Sequence, residues 1–234
     1  MRKGNVFITL GLLLIAAALA LVGFNLWDNQ RADRAAQDFL EQLVPALGDD
    51  PIPAEGRPVF YGGETPEAFG TEEAEKSPDS DAVGAERIPD DMEYPDYVLD
   101  PGMDMPVVNV RGEDYIGVLS IPALGKVLPV CAEWDYDRLN SAPCRYSGTV
   151  YMSNMVICAH NYDSHFGDIK NLRYGDTVEF TDGDGNYFCY AVSEIETLRP
   201  ADIERMTSGD WDLTLFTCTI GGQTRVTVRC TRCQ

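Results

Sequence analysis

Histidine and basic residues are scarce in this chain. Of its 234 residues only two are histidines, His160 and His165, and 18 Lys and Arg stand against 38 Asp and Glu, for a net charge of −20. A protein that binds DNA or RNA presents a basic patch or stripe to the phosphates, and no segment of this sequence supplies one. The sequence therefore predicts no nucleic-acid partner. It also limits any histidine-based acid–base catalysis to two side chains.

Apolar periodicity is lacking in residues 46–106, which carry nine prolines. Most of the negative charge lies here as well, because residues 49–114 contain 19 acidic and four basic residues. A segment of this composition cannot bury a core and is typical of a solvated linker. We therefore predict an acidic, proline-rich linker over residues 46–110. Its latter part, from Tyr94, is less charged and is expected to dock on the domain that follows.

The N-terminal segment has a long uncharged run from Val6 to Phe24. Nineteen residues at helical rise span roughly 29 Å, about the thickness of a bilayer core. Arg2 and Lys3 precede the run, which predicts a cytoplasmic N-terminus and an extracellular C-terminal bulk. The alternative is a cleaved signal peptide, because residues 18–20 read Ala-Leu-Ala. The apolar run continues past that site, which favours an uncleaved anchor.

Four boundaries follow from these patterns. We predict a cytoplasmic stub over residues 1–4, a transmembrane signal-anchor helix over 5–27 and a juxtamembrane amphipathic helix over 28–45, where Pro45 stops it. After the linker, we predict that residues 111–234 form the C-terminal domain.

That last domain reads as all-β. Short runs rich in β-branched and aromatic residues follow one another from Tyr115, separated by turn residues. The runs are YIGVLSI, VLPVC, VYMSNMVICA, DTVEFT, YFCYAVSEIE, LTLFTCT and RVTVRC. Weak helical patterns interrupt them only near 164–172 and 201–207. Seven or eight strands in this length indicate a closed barrel or a sandwich, with a hairpin turn at residues 182–186.

Three polar residues stand where apolar strands begin or end. His160 follows the run 156–159, Cys218 ends the run 213–217, and Arg225 opens the next strand after a glycine-containing turn. Cys218 and Arg225 are therefore expected to be neighbours across a hairpin. A cationic neighbour favours the nucleophilic thiolate form of a cysteine, and the same guanidinium can stabilise negative charge on a carbonyl oxygen.

Rival assignments exist for each of these residues. Cys158 is the alternative nucleophile to Cys218, because it shares a strand face with His160, but it lies inside the strand. Arg229 shares a face with Arg225, but it lies further from the turn. We expect His165 in a surface loop.

The other cysteines leave their pairing open. Seven cysteines allow up to three disulfides in an exported domain, and several could equally be small buried hydrophobes. Besides Cys218 they are Cys131, Cys144, Cys158, Cys189, Cys230 and Cys233.

No cofactor or metal is predicted. Asp182-x-Asp184-x-Asn186 imitates the start of a calcium loop, but position six is Tyr187 and position twelve is Ser193, which favours a plain turn.

Together these motifs resemble the sortase family, in a class B-like or related clostridial-type group. Thr214-Leu215-Phe216-Thr217-Cys218 is similar to its TLxTC motif, with a histidine tens of residues upstream and an arginine just downstream. The run 116–122, Ile-Gly-Val-Leu-Ser-Ile-Pro, resembles the opening strand of that family. The similarity covers about residues 115–230.

The resemblance implies a closed eight-stranded sortase-like β-barrel with one or two short helices, following the membrane helix and the acidic linker. It implies that Cys218 attacks an LPxTG-like sorting-signal peptide to give a thioacyl enzyme, that His160 moves the proton and that Arg225 stabilises the oxyanion. The acceptor would be an amine of a cell-wall precursor or of a pilin lysine. Some pilus-type relatives carry a lid with an Asp-Pro-aromatic motif. Asp100-Pro101 matches it in part, although the aromatic residue is missing and a simple turn is the alternative.

Two other functions fit the same residues. One is a Cys–His hydrolase, in which water instead of an amine resolves the thioacyl enzyme. The other is a non-catalytic, disulfide-stapled surface module, in which Cys218 would be paired or inert.

Overall fold

The computed structural model describes residues 2–46 and 94–233. In the first range α1 runs from Arg2 to Ala46, and in the second short strands dominate. The strands are β1 (Val108–Val110), β2 (Glu113–Ile121), β3 (Lys126–Cys131), β4 (Cys144–Ser147), β5 (Met155–Ala159), β6 (Thr177–Asp182), β7 (Tyr187–Leu198), β8 (Leu213–Cys218) and β9 (Arg225–Arg232). The short helices are α2 (Asp96–Leu99), α3 (Tyr136–Leu139) and α4 (Ile203–Thr207), with 3₁₀ turns at Pro122–Leu124 and Ile169–Asn171.

Eight of the strands close into a ring. Their order is β2-β3-β4-β5-β8-β9-β7-β6, and β6 pairs back onto β2, while β1 pairs with β2 outside the ring. This confirms the predicted closed eight-stranded barrel. The closing pair is tight at Gly117, whose φ is +151° and where an added Cβ would lie 2.0 Å from the carbonyl oxygen of Thr181. Only glycine fits at this point of the ring.

The side chains of the barrel strands belong to two separate apolar clusters, one inside the barrel and one outside it. In β5, Ile157 and Ala159 point into the barrel interior, whereas Val156 and Cys158 join a second apolar cluster outside it. This alternation arises because successive side chains of a strand face opposite sides. Met206 of α4 and Leu139 of α3 also belong to the second cluster. The outer face of β5 and β8 is therefore covered at its margins by short helices.

The two ends of the barrel differ in sequence and in bonding. We call one of them the Cys218 end; here β5 and β8 finish and β9 begins. We call the other the Asp182 end; here β5 and β8 begin and β6 finishes. The carboxylate of Asp182 is fully buried there, and it accepts hydrogen bonds from the Tyr151 hydroxyl (2.6 Å) and from the backbone N–H groups of Asp184 and Asn186 (3.0 and 2.9 Å). The predicted turn at 182–186 is present.

Residues 94–110 pack against the Asp182 end. The Tyr97 ring stacks on Tyr151 with centroids 4.7 Å apart and lies 5.4 Å from the Phe188 ring. Met105 is buried in the barrel core, and β1 extends the sheet beside β2. Asp100 lies in this docked segment, so the described residues put no lid over Cys218.

Helix α1 is continuous from Arg2 to Ala46 and is not divided near residue 28. Its stretch Phe7–Phe24 is long and apolar enough to cross a membrane, and the apolar side chains described there are exposed. Further along, Leu40 packs against the second apolar cluster. Residues 47–93, most of the predicted linker, lie outside the described residues.

Candidate active site

Cys218 and Arg225 face each other at the mouth of a hairpin. They are Cα partners in the antiparallel ladder between β8 and β9. The turn between them is closed by hydrogen bonds from Thr219 N to Thr224 O (2.9 Å) and from Gly222 N to Thr219 O (2.8 Å). The Arg225 guanidinium contacts the carbonyl oxygens of Gly222 and Thr224 at 3.3 and 3.2 Å. Both Cys218 and Arg225 are half-buried, so a molecule in solution can reach them.

His160 reaches the same end of the barrel from the neighbouring strand. β5 runs parallel to β8, with Ala159 opposite Thr217. The Thr217 hydroxyl donates a 2.8 Å hydrogen bond to the Ala159 carbonyl oxygen. His160 and Cys218 are the residues that follow this bonded pair, and His160 is also half-buried. The structure therefore brings His160, Cys218 and Arg225 together at three adjacent strand ends.

The loop after His160 is anchored at several points. The rings of His160 and Tyr162 lie 5.0 Å apart, and the Tyr162 hydroxyl donates to Asn140 Oδ1 at 3.3 Å. Lys126 donates to the carbonyl oxygen of Asp163 and pairs with Asp168 at 3.2 Å. Sequence reasoning missed Tyr162 and Lys126. The contact from Lys126 spans 37 residues, and no local pattern signals it.

His165 is not a surface residue, contrary to the sequence prediction. Its side chain is fully buried, and its ring lies 5.4 Å from that of Tyr162. Burial first, and then the nearby His160, lower the pKa of His165 to about 4. The neighbouring Phe166 and Ile169 are also fully buried, so the loop turns inward and takes His165 with it. The ring is therefore uncharged at neutral pH.

Arg229, the alternative to Arg225, is a buried structural residue that bonds to several elements of the fold. It is 2% exposed, pairs with Glu196 at 3.0 Å, and donates to Thr214 Oγ1 at 3.0 Å and to the carbonyl oxygens of Met206 (2.8 Å) and Arg205. Its Cα partner is Thr214, four residues before Cys218, or roughly 13 Å along the strand. Arg229 thus fastens α4 to the barrel.

Cys158, the alternative to Cys218 as nucleophile, lies inside β5. It is buried, and burial first, with a further contribution from the nearby Cys218, raises its pKa to about 12. A thiol with this pKa stays protonated at neutral pH and is a poor nucleophile. Its side chain belongs to the second apolar cluster together with Phe216, its Cα partner in β8.

A row of aromatic rings leads away from Cys218. Phe216 is on the same face of β8 as Cys218, and its ring meets that of Tyr146 edge-on at 5.4 Å. Tyr146 in turn lies 5.7 Å from Trp134, which meets Tyr136 at 5.6 Å. Trp134, Arg145 and Tyr146 also line a cleft beside β4. This aromatic row had no single signature in the sequence, because its members come from β8, β4, the segment before α3 and α3 itself.

One disulfide joins Cys189 in β7 to Cys233 just after β9. The other five cysteines, including Cys218, are free thiols. Cysteine connectivity was left open by the sequence. It is the free state of Cys218 that allows it to react.

The barrel domain matches one known family model. Residues 119–233 match the family model described as Sortase domain. Sortase A from Corynebacterium diphtheriae is 23% identical with a TM-score of 0.48, and the match covers 52% of this chain and 62% of that one. Sortase C1 from Streptococcus suis is 26% identical (TM-score 0.45; 51% and 73% covered), and a Clostridium perfringens sortase D5 transpeptidase is 24% identical (TM-score 0.46; 52% and 80% covered). No curated protein sequence matches the chain.

Proposed function

The chain belongs to the sortase family, and on that premise we propose that it is a cysteine transpeptidase that cleaves an LPxTG-like sorting signal and transfers the acyl part to an amine at the cell surface. One observation carries the proposal. A half-exposed free thiol, Cys218, is the Cα partner of Arg225 on one side and follows the strand pair that leads to His160 on the other.

The first half-reaction uses all three groups. The Cys218 sulfur, as thiolate, attacks the carbonyl carbon of the scissile peptide bond, and the carbonyl oxygen gains negative charge. The Arg225 guanidinium stabilises that oxyanion. His160, as imidazolium, gives its proton to the leaving amine. The products are a thioester on Cys218 and a free amine.

The second half-reaction reverses these roles. Neutral His160 takes a proton from the incoming amine, whose nitrogen attacks the thioester carbon. Collapse of the tetrahedral intermediate forms the new amide bond and returns the thiolate of Cys218. Water in place of the amine would give hydrolysis at the same site.

The aromatic row supplies a surface for the substrate peptide. Phe216, two residues before Cys218, contacts the half-buried Tyr146, and Trp134 beside Tyr146 is 41% exposed. Flat apolar rings suit the leucine and proline side chains of an LPxTG-like peptide. We assign the row Phe216–Tyr146–Trp134 to peptide binding.

The proposed location is the outer face of the cell membrane. The span Phe7–Phe24 would anchor the chain, with Arg2 and Lys3 on the cytoplasmic side. The Cys189–Cys233 disulfide agrees with export, because disulfides persist in oxidising compartments. An amine acceptor, from a cell-wall precursor or a pilin lysine, is available there.

The experiment uses the purified chain in detergent with a set of sorting-signal peptides, with and without an added amine. We expect mass spectrometry to find an acyl adduct on Cys218, and an amide product that forms only when the amine is present. A carboxylic-acid product at every amine concentration would identify a hydrolase instead. Failure of every peptide to modify Cys218, while iodoacetamide still modifies it, would contradict the substrate assignment.

A further inference from the structure

The barrel has one weakly paired seam, between β3 and β4. These parallel strands share a single register pair, Cys131 with Cys144. On either side the chain is joined by isolated bonds, from Cys131 N to Pro143 O at 2.9 Å and from Arg145 Nε to Ala132 O at 2.8 Å. By contrast, β5 pairs with β8 over the whole length of β5. The one residue pair that closes the seam is a pair of cysteines.

The two side chains lie on the same face of the sheet. Both belong to the second apolar cluster, at 2% and 0% exposed, and the Cys144 thiol donates to the Ala142 carbonyl oxygen at 3.5 Å. Directly paired strands are about 4.8 Å apart, within the range of Cα separations that a disulfide bridges. The structure holds both as free thiols.

A third thiol, Cys158, competes for Cys144 by position. It is the Cα partner of Cys144 on the opposite side, in β5. Its sulfur donates to the Cys144 carbonyl oxygen at 3.6 Å. β4 and β5 are already paired at three positions, whereas β3 and β4 are paired only at Cys131 and Cys144, so a bond to Cys131 is the one that would close the seam.

We propose that Cys131 and Cys144 form a second disulfide that covalently closes the β3–β4 seam. The chain already carries the Cys189–Cys233 bond, so it passes through a compartment where such bonds form. The oxidant is a disulfide compound such as oxidised glutathione. One cysteine thiolate attacks it and releases one thiol. The second thiolate then displaces the other, so two thiols and one external disulfide become one protein disulfide and two external thiols.

The bond would form while the chain folds. In the closed barrel the thiols are buried, and the neighbouring Cys131 thiol, together with burial, raises the pKa of Cys144. Cys144 then does not readily yield a thiolate. Oxidation of a finished, fully reduced barrel should accordingly be slow, whereas refolding with oxidised glutathione should give the bond directly.

The first test maps cysteines in the full chain, purified in detergent after export or refolded with a glutathione redox pair. The protein is denatured without reductant, alkylated with N-ethylmaleimide and digested. We expect adducts on Cys158, Cys218 and Cys230 only, and a linked peptide that contains Cys131 and Cys144. Adducts on both Cys131 and Cys144, or a Cys144–Cys158 linkage, would overturn the proposal. No enzyme activity enters this readout, so its outcome is independent of the proposed transpeptidation.

The second test measures the stability effect. In a Cys189→Ser/Cys233→Ser chain the proposed bond is the only disulfide left, and a reductant should lower Tm by on the order of 10 °C. Adding Cys131→Ala/Cys144→Ala to the same chain should abolish that response. A Tm that reductant leaves unchanged before those two substitutions would refute the second disulfide.

Discussion

The two ends of the barrel are built for different purposes. At the Asp182 end the buried carboxylate is surrounded by donors, Tyr97 stacks on Tyr151, and the Arg232 guanidinium lies 5.1 Å from the centre of the Phe188 ring. At the Cys218 end the key side chains are half-exposed, and the side-chain bonds described for Arg225 reach only carbonyls of its own turn.

The groups that stabilise the fold and the groups proposed to react therefore lie at different ends of the barrel. Buried, fully hydrogen-bonded groups stabilise one arrangement, and the Asp182 end concentrates them, together with the Cys189–Cys233 bond. Groups that must change partners during a reaction cannot be saturated with permanent bonds. Substitutions at the Cys218 end should therefore reduce turnover with little change in stability, and substitutions elsewhere in the scaffold should do the reverse.

The largest effect is expected from Cys218→Ala. Without the sulfur no thioester forms, so peptide cleavage should fall to background, while Tm stays within about 2 °C of the parent because the side chain is half-exposed. Cleavage is followed by mass spectrometry and Tm by circular dichroism. Cys158→Ala is the matched control. It should retain turnover, and the assignment is wrong if Cys158→Ala is inactive while Cys218→Ala still cleaves.

Substitution of Arg229 should mainly lower stability, and substitution of Arg225 should mainly lower turnover. Arg229→Met leaves Glu196 without its buried partner and frees α4, which should cost about 3–5 kcal/mol of unfolding free energy. Arg225→Ala should instead lower kcat/KM about 100-fold and change stability by less than about 0.5 kcal/mol. Urea unfolding and steady-state kinetics measure the two effects. Exchanged phenotypes would mean that the site lies around Arg229.

Because His165 is buried in its neutral form, the stability of the fold should fall in acid. Its pKa is about 4 in the fold against about 6.5 when unfolded, so the unfolded chain binds more protons between these values. Stability therefore falls as pH drops from about 6.5 to 4, by on the order of 3 kcal/mol at most. His165→Phe should lose less stability over this window. The carboxyl of Asp182, whose pKa burial raises, is common to both proteins and cancels in the difference. Parallel stability curves from pH 7 to 4 would contradict a neutral, buried His165.

Tyr97→Ala tests the docking of residues 94–110. Loss of the stacked ring should lower the unfolding free energy by about 1–3 kcal/mol. The rate at which iodoacetamide alkylates Cys218 should not change, because Tyr97 packs at the other end of the barrel. Faster alkylation in this variant would instead support a lid over the thiol.

The smallest effect concerns the aromatic row. Trp134→Ala should raise KM about fivefold, the equivalent of roughly 1 kcal/mol of peptide binding, with kcat unchanged. Tyr94→Ala is a matched control, since Tyr94 is 43% and Trp134 41% exposed, and Tyr94 lines a different cleft, beside Tyr97 and Tyr151. Equal effects on KM would show that the row does not bind the peptide.

The barrel and its three strand-end residues could be predicted because each rests on local patterns. Apolar runs that end in a polar residue mark where a strand opens to solvent, as at Ala159-His160 and Thr217-Cys218. The motif resemblance then supplied the roles, which remain proposals.

Other features escaped prediction because they depend on distant contacts. β4 carries Cys144-Arg-Tyr-Ser, which has little apolar alternation and is a strand because Cys144, Arg145 and Ser147 pair with β5. The run that begins at Val150 was expected to be extended throughout, yet β5 starts only at Met155. His165 looked exposed because it is polar, and its burial follows from the packing of Phe166 and Ile169.

The position of β9 has a consequence for biosynthesis. β9 lies between β8 and β7, and it is the last barrel strand in chain order. During N-to-C synthesis, β7 and β8 must therefore keep open edges until residues 225–232 emerge, a state that is prone to aggregation. The same late strand brings Arg225 to Cys218. A nascent chain consequently has its thiol before it has either a closed ring or the guanidinium beside that thiol, so folding and catalytic competence are completed in one step.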